Sequence, residues 1–125
     1  MIVGMGVDII EIDRIRAAME RSPRFGQRLY TAGEIAYCDR HKNRFQHYAG
    51  RFAAKEAAFK ALGTGWGGGV AWRDVEVCNA ESGKPSLVLH GRARAVGDQL
   101  GVTAAHVSIS HSERYAVAQV ILEKG

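Results

Sequence analysis

The sequence predicts a single α+β domain over residues 1–125, in which an antiparallel sheet packs on one long central helix. Three observations support this fold class. An almost uninterrupted apolar run opens the chain, strong helix formers fill residues 51–62 up to Gly63, and two strand–turn–strand patterns follow in the second half. A chain of 125 residues with 46% hydrophobic residues is long enough to bury a core, so a disordered chain is excluded.

The composition favours an acidic partner and a reducing compartment. The formal net charge of +4 fits nucleic acid, an anionic protein or a phosphorylated substrate. Cys38 and Cys78 lack the spacing of metal ligands and are expected to be buried thiols of a cytoplasmic protein. No apolar run approaches the roughly 20 residues needed to cross a bilayer, so neither a membrane span nor a signal peptide is expected.

The N-terminal strand, residues 1–10, carries one charged side chain among apolar ones. Its near-continuous apolar pattern predicts burial on both faces. Alternation places Gly4, Gly6 and Asp8 on one face, so the Asp8 carboxylate has space that a ligand or another backbone could fill. A lone Asp in an apolar strand must be paired, hydrogen-bonded to the backbone or bound to a cation, and the pattern leaves these roles open. The opposite face collects Val3, Met5, Val7 and Ile9.

A first helix is expected from about Asp13 through Glu20, and Pro23 is expected to stop it. Five arginines fall within residues 14–28, and the only acidic residues there or directly before are Asp13 and Glu20. This positive excess is larger than solubility requires and predicts a docking surface for an acidic partner, although a solvated helix face is the alternative. We name it the arginine surface and define it by Arg14, Arg21, Arg24, Phe25 and Arg28.

The central helix is predicted to continue from about Phe45 to its C-cap, Gly63. Thr31 and Glu34 have the spacing of a capping box, which predicts that a shorter helix begins there, before the central one. On a helical wheel, four alanines form a methyl-only face that another backbone can approach closely: Ala53, Ala54, Ala57 and Ala61.

Glu56 and Lys60 lie on this wheel between the alanine face and an arc that contains Phe52 and Phe59. Arg51 and Lys55 lie on the opposite side. An i,i+4 pair of opposite charge is normally solvated, but this one is flanked by apolar surface on both sides. It is therefore either a surface pair or a carboxylate and an ammonium held together at the edge of a cavity.

Glycine dominates residues 63–69, which predicts a flexible loop without the Gly-Lys-Ser/Thr ending of a Walker A motif. A strand from Trp72 to Val77 and a partner at residues 86–89 form one hairpin, and a helix follows at residues 91–99 with Leu100 turned inward. Residues 106–112 and 115–122 form a second hairpin.

His111 ends the first strand of that second hairpin, between Ser110 and Ser112. An imidazole beside hydroxyls can bind a phosphate, although histidines at strand ends are often simple surface residues. A Ser–His hydrolase is disfavoured, because neither a nucleophile elbow nor a third catalytic group is recognisable.

Four ordered segments together resemble one family. They are Gly-Met-Gly-Val-Asp-Ile-Ile-Glu-Ile at 4–12, Arg-Phe-Ala-Ala-Lys-Glu-Ala-Ala-Phe-Lys-Ala-Leu-Gly-Thr-Gly at 51–65, Gly-Lys-Pro at 83–85 and Val-Ser-Ile-Ser-His-Ser at 107–112. The combination resembles the holo-[acyl-carrier-protein] synthases, the small bacterial type of 4′-phosphopantetheinyl transferase. The resemblance runs from Met1 to about Leu122 and implies the fold of that family.

The resemblance implies an enzyme that transfers the 4′-phosphopantetheine of coenzyme A to a serine of apo acyl carrier protein in support of fatty acid biosynthesis. Adenosine 3′,5′-bisphosphate is the second product. Asp8 and Glu56 occupy the implied Mg²⁺ positions, Lys60 would stabilise the phosphates, and Glu56 would take the serine proton. The residues implied in binding coenzyme A are Lys60, His111, Arg51, Ser112, Gly63, Thr64 and Gly65.

Acyl carrier proteins are strongly acidic, so the arginine surface would dock the carrier. The resemblance also implies a homotrimer with active sites at the subunit interfaces. Two other functions remain open from the residues themselves. A basic nucleic-acid-binding module would explain the charge but leaves Asp8, Glu56 and His111 without a role. A magnesium-dependent phosphohydrolase would use the acidic pair but not the arginine surface.

Overall fold

A computed structural model describes residues 1–65 and 68–125 of the chain. In chain order the elements are β1 Ile2–Glu11, α1 Ile12–Arg21, α2 Pro23–Leu29, α3 Ala32–Asp39, α4 Arg44–Leu62, a 3₁₀ turn Trp72–Asp74, β2 Val75–Asn79, β3 Pro85–Leu89, α5 Gly91–Leu100, β4 Ala104–His111 and β5 Tyr115–Glu123. An antiparallel sheet in the order β1-β5-β4 packs on α4, and β2 pairs with β3 in a separate hairpin. The predicted α+β class is confirmed.

The two glycines of β1 allow the strand to lie directly against α4. A Cβ atom at Gly4 would stand 2.1 Å from the carbonyl oxygen of Ala61, and one at Gly6 would stand 2.0 Å from that of Ala57. The alanine face of α4 is fully or almost fully buried in this contact, as its composition predicts. The space beside Asp8 is therefore filled in part by the backbone of another element, which was one of the two expected occupants.

The prediction that β1 is buried on both faces is wrong for this chain. Met5, Val7 and Ile9 share one face, as the alternation predicts, but between 57% and 61% of each residue remains exposed. The reason is that α4 covers only the face that carries Gly4 and Gly6, and no described residue covers the other. A row of apolar side chains is thus left open on the outer face of the sheet.

The segment after β1 differs from the prediction at Pro23. This residue does not end a single helix but stands at the first position of α2, where its missing N–H costs no hydrogen bond. The backbone N–H of Ser22 bonds the carbonyl of Ala18 and closes α1. The arginine surface therefore spans two short helices with a bend between them. The capping box of Thr31 and Glu34 at the start of α3 is confirmed.

A fully buried ion pair joins α3 to α4. Lys55 Nζ lies 2.8 Å from Glu34 Oε1, and both side chains are completely shielded from solvent. The same ammonium donates hydrogen bonds to the carbonyl oxygens of Trp72 and Val75, and Glu34 accepts from the N–H of Val77. These partners lie in the 3₁₀ turn and in β2, so one charged pair fixes α3, α4 and the start of β2 together.

Two smaller expectations are also corrected. Trp72 belongs to the 3₁₀ turn and β2 begins only at Val75. Leu100 is 38% exposed, while Ala93 and Val96 face the core as predicted. Among the described residues, no helix is both long and apolar enough to cross a membrane.

Candidate active site

Asp8 and Lys60 meet where β1 crosses the last turns of α4. Lys60 Nζ lies 3.3 Å from Asp8 Oδ1 and donates a 2.9 Å hydrogen bond to the carbonyl of Val7. The ion pair that Lys60 makes is thus with Asp8 and not with Glu56, one turn earlier on the helix. The contact follows from the glycines of β1, because only a strand without side chains at residues 4 and 6 approaches α4 so closely.

Glu56 completes this group, and its titration reports its surroundings. Partial burial raises the pKa of the Glu56 carboxyl, the negative charge of Asp8 raises it further, and Lys60 lowers it. Asp8 and Glu56 are therefore close enough to repel one another, as expected for two carboxylates that share a site. We name Asp8, Glu56 and Lys60 the catalytic half of the candidate site.

Asp8 and Glu56 offer two carboxylates to a metal ion, which is fewer ligands than a complete coordination shell needs. Within residues 1–65 and 68–125, no cluster of three or more His, Cys, Asp or Glu side chains could hold a metal ion. A pair of carboxylates is the donor set with which proteins commonly bind Mg²⁺, because this ion keeps several waters and takes its other ligands from substrate phosphates. The side chains present therefore fit the implied ion.

Arg51 lies in a different environment, although it belongs to the same helix. It is only 3% exposed, its guanidinium stacks 4.3 Å from the ring centroid of Tyr37, and it donates a hydrogen bond to the Asn79 side chain. Its Nε atom is buried without a hydrogen-bond partner. Cavities of about 360 Å³ and about 750 Å³ adjoin this cluster, the first lined by Arg51 and both lined by Tyr37, Arg40 and Asn79. A buried guanidinium with no carboxylate partner is suited to bind an anion.

His111 lies at the end of β4 and exchanges a hydrogen bond with Gln46 in the first turn of α4. Ser112 is used within the hairpin, where its hydroxyl accepts from the N–H of Tyr115. Burial lowers the pKa of His47, one turn before Arg51 on α4, and the charges of His41, Arg51 and His111 lower it further. We name Arg51 and His111 the anion half of the candidate site.

The fold of one chain does not bring the two halves together. Asp8 lies on β1 and His111 on β4, which are the opposite edges of the sheet, two strand spacings or about 9–10 Å apart. On α4, ten residues separate Gln46 from Glu56, a rise of about 15 Å. Arg51 and Glu56 are about 140° apart around the helix axis.

The glycine-rich loop begins beside the catalytic half. Gly63 adopts the left-handed conformation that ends α4, and Gly65 also has a positive φ, of 53°. Thr64 lies between them, half-buried. These three residues follow Lys60 by less than two turns, so they lie at the same end of the helix. The predicted loop also includes Trp66 and Gly67, which lie outside the described residues.

The arginine surface borders an apolar cavity of about 530 Å³ between α1, α2 and α4. Arg21, Arg24, Phe25 and Arg28 line it, whereas Arg14 lies on the exposed side of α1. Its inner wall is formed by Phe52 and Trp72, whose rings stack with centroids 5.1 Å apart. Phe52 precedes Glu56 by one helical turn, so this cavity opens next to the catalytic half.

Comparison with known proteins identifies the family. The model of the 4'-phosphopantetheinyl transferase superfamily matches residues 4–120. The chain belongs to this superfamily. A holo-[acyl-carrier-protein] synthase from Solibacter usitatus is 53% identical over 124 residues, which cover 98% of this chain and 99% of the relative. The resemblance inferred from the four motifs is confirmed.

Two solved structures confirm the fold of this family. The first is a holo-(acyl-carrier-protein) synthase from Bacillus anthracis in complex with CoA (3',5'-ADP), which is 42% identical, has a TM-score of 0.84 and is matched over 100% of this chain and 99% of that one. The second, a holo-[acyl-carrier-protein] synthase from Neisseria meningitidis, is 31% identical with a TM-score of 0.90 and coverages of 99% and 100%.

Sequence reasoning missed three parts of this region. Phe52 and Trp72 were not recognised as walls of the arginine-surface cavity, and Lys55 was not recognised as a fully buried ion. The contact of His41 with His47, whose ring centroids lie 4.1 Å apart beside Tyr37, was also not predicted. The spacing of Lys55 from Arg51, one turn apart on the side of α4 away from Lys60, was the available signal for the buried cations.

Proposed function

We propose that the chain transfers the 4′-phosphopantetheine group of coenzyme A to a serine of an apo acyl carrier protein. The observation that carries the proposal is the meeting of Asp8, Glu56 and Lys60 at the crossing of β1 and α4, in a chain 53% identical to a named holo-[acyl-carrier-protein] synthase. The related structure bound to CoA (3',5'-ADP) supports coenzyme A as the donor. The products are the holo carrier, which serves fatty acid biosynthesis, and adenosine 3′,5′-bisphosphate.

Asp8 and Glu56 would hold Mg²⁺ in this proposal. When bound, the ion supplies positive charge that neutralises pyrophosphate oxygens and the developing charge on the leaving phosphate. Burial raises the pKa of Glu56 first, and the nearby negative charge of Asp8 raises it further. Like-charge repulsion of this kind is relieved by a divalent cation, which supports the pair as its ligands.

Lys60 would stabilise negative charge during the reaction, and Glu56 would accept a proton. Lys60 is half-exposed, so its ammonium can turn from Asp8 toward a phosphate oxygen of the donor and stabilise charge on the leaving oxygen. Glu56 would accept the proton of the carrier serine. The serine oxygen then attacks the β-phosphorus while the bond to the α-phosphate oxygen breaks.

The anion half would bind the remaining phosphate of coenzyme A. Arg51 offers a buried guanidinium with a free Nε, and His111 adds a second donor at the end of β4. Ser112 is a weaker candidate, since its hydroxyl already accepts a hydrogen bond. Gly63, Thr64 and Gly65 would lie along the nucleotide, where backbone without bulky side chains allows close approach.

A complete site would need a second copy of the chain. The catalytic half lies at the β1 edge and the anion half at the β4 edge, so a copy that places its β4 edge beside the neighbour's β1 edge would unite them. The exposed row of Met5, Val7 and Ile9 supplies apolar surface for that contact. Such an unlike-edge contact closes into a ring when the rotation between neighbouring copies divides a full turn. By the family resemblance that ring would be a homotrimer.

The arginine surface would dock the acidic carrier protein. Its four arginines are exposed, and the adjoining cavity could accept an apolar side chain next to the catalytic half. The position beside Glu56 supports this use over a purely solvated face, since the carrier serine has to reach that carboxylate. Cys38 and Cys78 are free thiols, which fits a cytoplasmic enzyme.

The direct test is to incubate the protein with coenzyme A, Mg²⁺ and an apo acyl carrier protein and to weigh the carrier. A gain of one phosphopantetheine group is expected. Asp8→Asn and Glu56→Gln should each lose most turnover and keep the fold, whereas the matched variant Asp98→Asn, an exposed carboxylate on α5, should keep both. Release of phosphate without a mass change would indicate a hydrolase, and oligonucleotide binding alone would indicate a nucleic-acid module.

A further inference from the structure

Three histidines gather beside Arg51, where α3, α4 and β4 meet. The rings of His41 and His47 lie 4.1 Å apart between centroids, and Tyr37 packs against both at 4.8 and 5.6 Å. His111 contributes from β4 through its hydrogen bond with Gln46. We name His41, His47 and His111 the imidazole cluster. Two imidazoles in contact next to a buried guanidinium are an arrangement that packing alone would not favour once a ring becomes charged.

The charged groups that act on His47 are all basic side chains. They are His41 from the end of α3, Arg51 from its own helix and His111 from β4. Burial and these three neighbours lower the pKa of His47 to about 4, so it is neutral near pH 7.

The nearby carboxylates on α3 are engaged elsewhere. Asp39 accepts a hydrogen bond from the Tyr48 hydroxyl. Glu34 is paired with Lys55 and accepts from two backbone N–H groups. Across the cavity of about 750 Å³ that His41 lines, Glu81 stands at the tip of the β2–β3 hairpin and is exposed. No carboxylate is thus paired with the cluster among the described residues, so negative charge has to come from a ligand.

We propose that coenzyme A binding is coupled to proton uptake by His41 and His47. The phosphate that the anion half binds would favour the charged form of these imidazoles. This deepens the proposed function and rests on it. A proton from solvent adds to an imidazole nitrogen when the phosphate arrives and leaves when the nucleotide product dissociates, and no covalent bond changes. In the free protein, burial and basic neighbours keep His47 neutral, and the bound anion reverses that preference.

The sign of the pH dependence follows from linkage. A dianionic phosphate favours the charged imidazole, so the histidine pKa is higher in the complex than in the free protein. Protons are then taken up on binding at any pH between the two values, and affinity rises as the pH falls through this window. Uptake of about half a proton corresponds to about a threefold gain in affinity per pH unit. Protonation of the phosphate itself, near pH 6, acts in the opposite direction.

The experiment is calorimetric titration of adenosine 3′,5′-bisphosphate into the intact protein at pH 6.5, in two buffers of different ionisation enthalpy. The difference in heat gives the number of protons taken up, and comparison of variants removes the contribution of the phosphate. Wild type should take up about half a proton more than His41→Gln/His47→Gln. His90→Gln is the matched control, because this histidine pairs with Glu76 outside the cluster.

Three results would separate the proton coupling from the proposed function. Nucleotide binding with equal proton uptake in wild type and the double variant overturns the coupling and leaves the proposed function intact. No binding of the nucleotide to wild type overturns both. A nuclear magnetic resonance titration of the histidine ring protons in wild type, with and without nucleotide, needs no variant. It therefore remains informative even if the double variant does not fold. The pKa of His47 has to rise in the complex, and an unchanged value rejects the proposal.

Discussion

Gly6 is the position at which one methyl group should damage both the fold and the candidate site. In Gly6→Ala the new Cβ would stand 2.0 Å from the carbonyl oxygen of Ala57, whereas ordinary contact begins near 3.4 Å. Strand β1 would have to retreat by about 1.4 Å, because a helix backbone cannot rotate aside as a side chain does. Overpacking of this kind costs up to about 3 kcal/mol, or about 12 °C in Tm at roughly 4 °C per kcal/mol.

The same retreat would move Asp8, two residues along the strand, away from Lys60. A misplacement of about 1 Å in a reacting group can lower turnover about a hundredfold. The assays are urea unfolding at one fixed protein concentration and the carrier mass assay. The matched control is Gly97→Ala, which should stay within about 1 kcal/mol of wild type. Its new methyl would meet the end of the Leu89 side chain at 3.2 Å and Val102 Cβ at an ordinary 3.8 Å. If Gly6→Ala unfolds like Gly97→Ala and keeps its turnover, the close approach of β1 to α4 is not what organises the site.

Three further predictions concern charged groups. Lys60→Met should lower kcat about a hundredfold with Tm almost unchanged, and an unchanged kcat would contradict its catalytic role. Arg14→Glu and Arg21→Glu should raise KM for the carrier but not for coenzyme A. Wild type should lose carrier affinity as salt rises toward about 0.5 M, and equal effects on both substrates would reject docking. Lys55→Met should cost about 3–5 kcal/mol in urea unfolding because it strands the buried Glu34 charge, and Lys55→Met/Glu34→Gln should recover much of it.

The elements could be predicted because their signals are local. The capping box at Thr31, the glycine at the end of α4 and the alternation of β1 depend on residues a few positions apart, and each is confirmed. The burial of β1 could not be predicted in the same way. An apolar run indicates that a strand prefers to be covered on both faces, but no residue in the described part of the chain covers the outer face of β1. The sequence therefore predicts that this face is buried but not which surface buries it.

The buried polar groups were missed for a different physical reason. Lys55 and Glu34 are 21 positions apart in the sequence and belong to separate helices, so no periodicity links them. A lysine on a helix is ordinarily solvated, and only a tertiary contact that supplies a carboxylate and two carbonyl oxygens makes its burial tolerable. His41 and His47 likewise meet only because the end of α3 folds back on α4.

The separation of Glu56 from His111 leads to a prediction that needs no structure of the assembly. If each site combines the catalytic half of one copy with the anion half of the next, Glu56→Gln and His111→Ala chains should each be inactive alone but restore one another when mixed. In randomly mixed rings at equal amounts, about a quarter of the interfaces carry both intact halves, so about a quarter of wild-type turnover should return. The chains have to be unfolded and refolded together, and two batches of Glu56→Gln treated alike are the control. If mixing gives only the sum of the parents' activities, each site lies within one chain and the two halves must be joined by a movement of α4 instead.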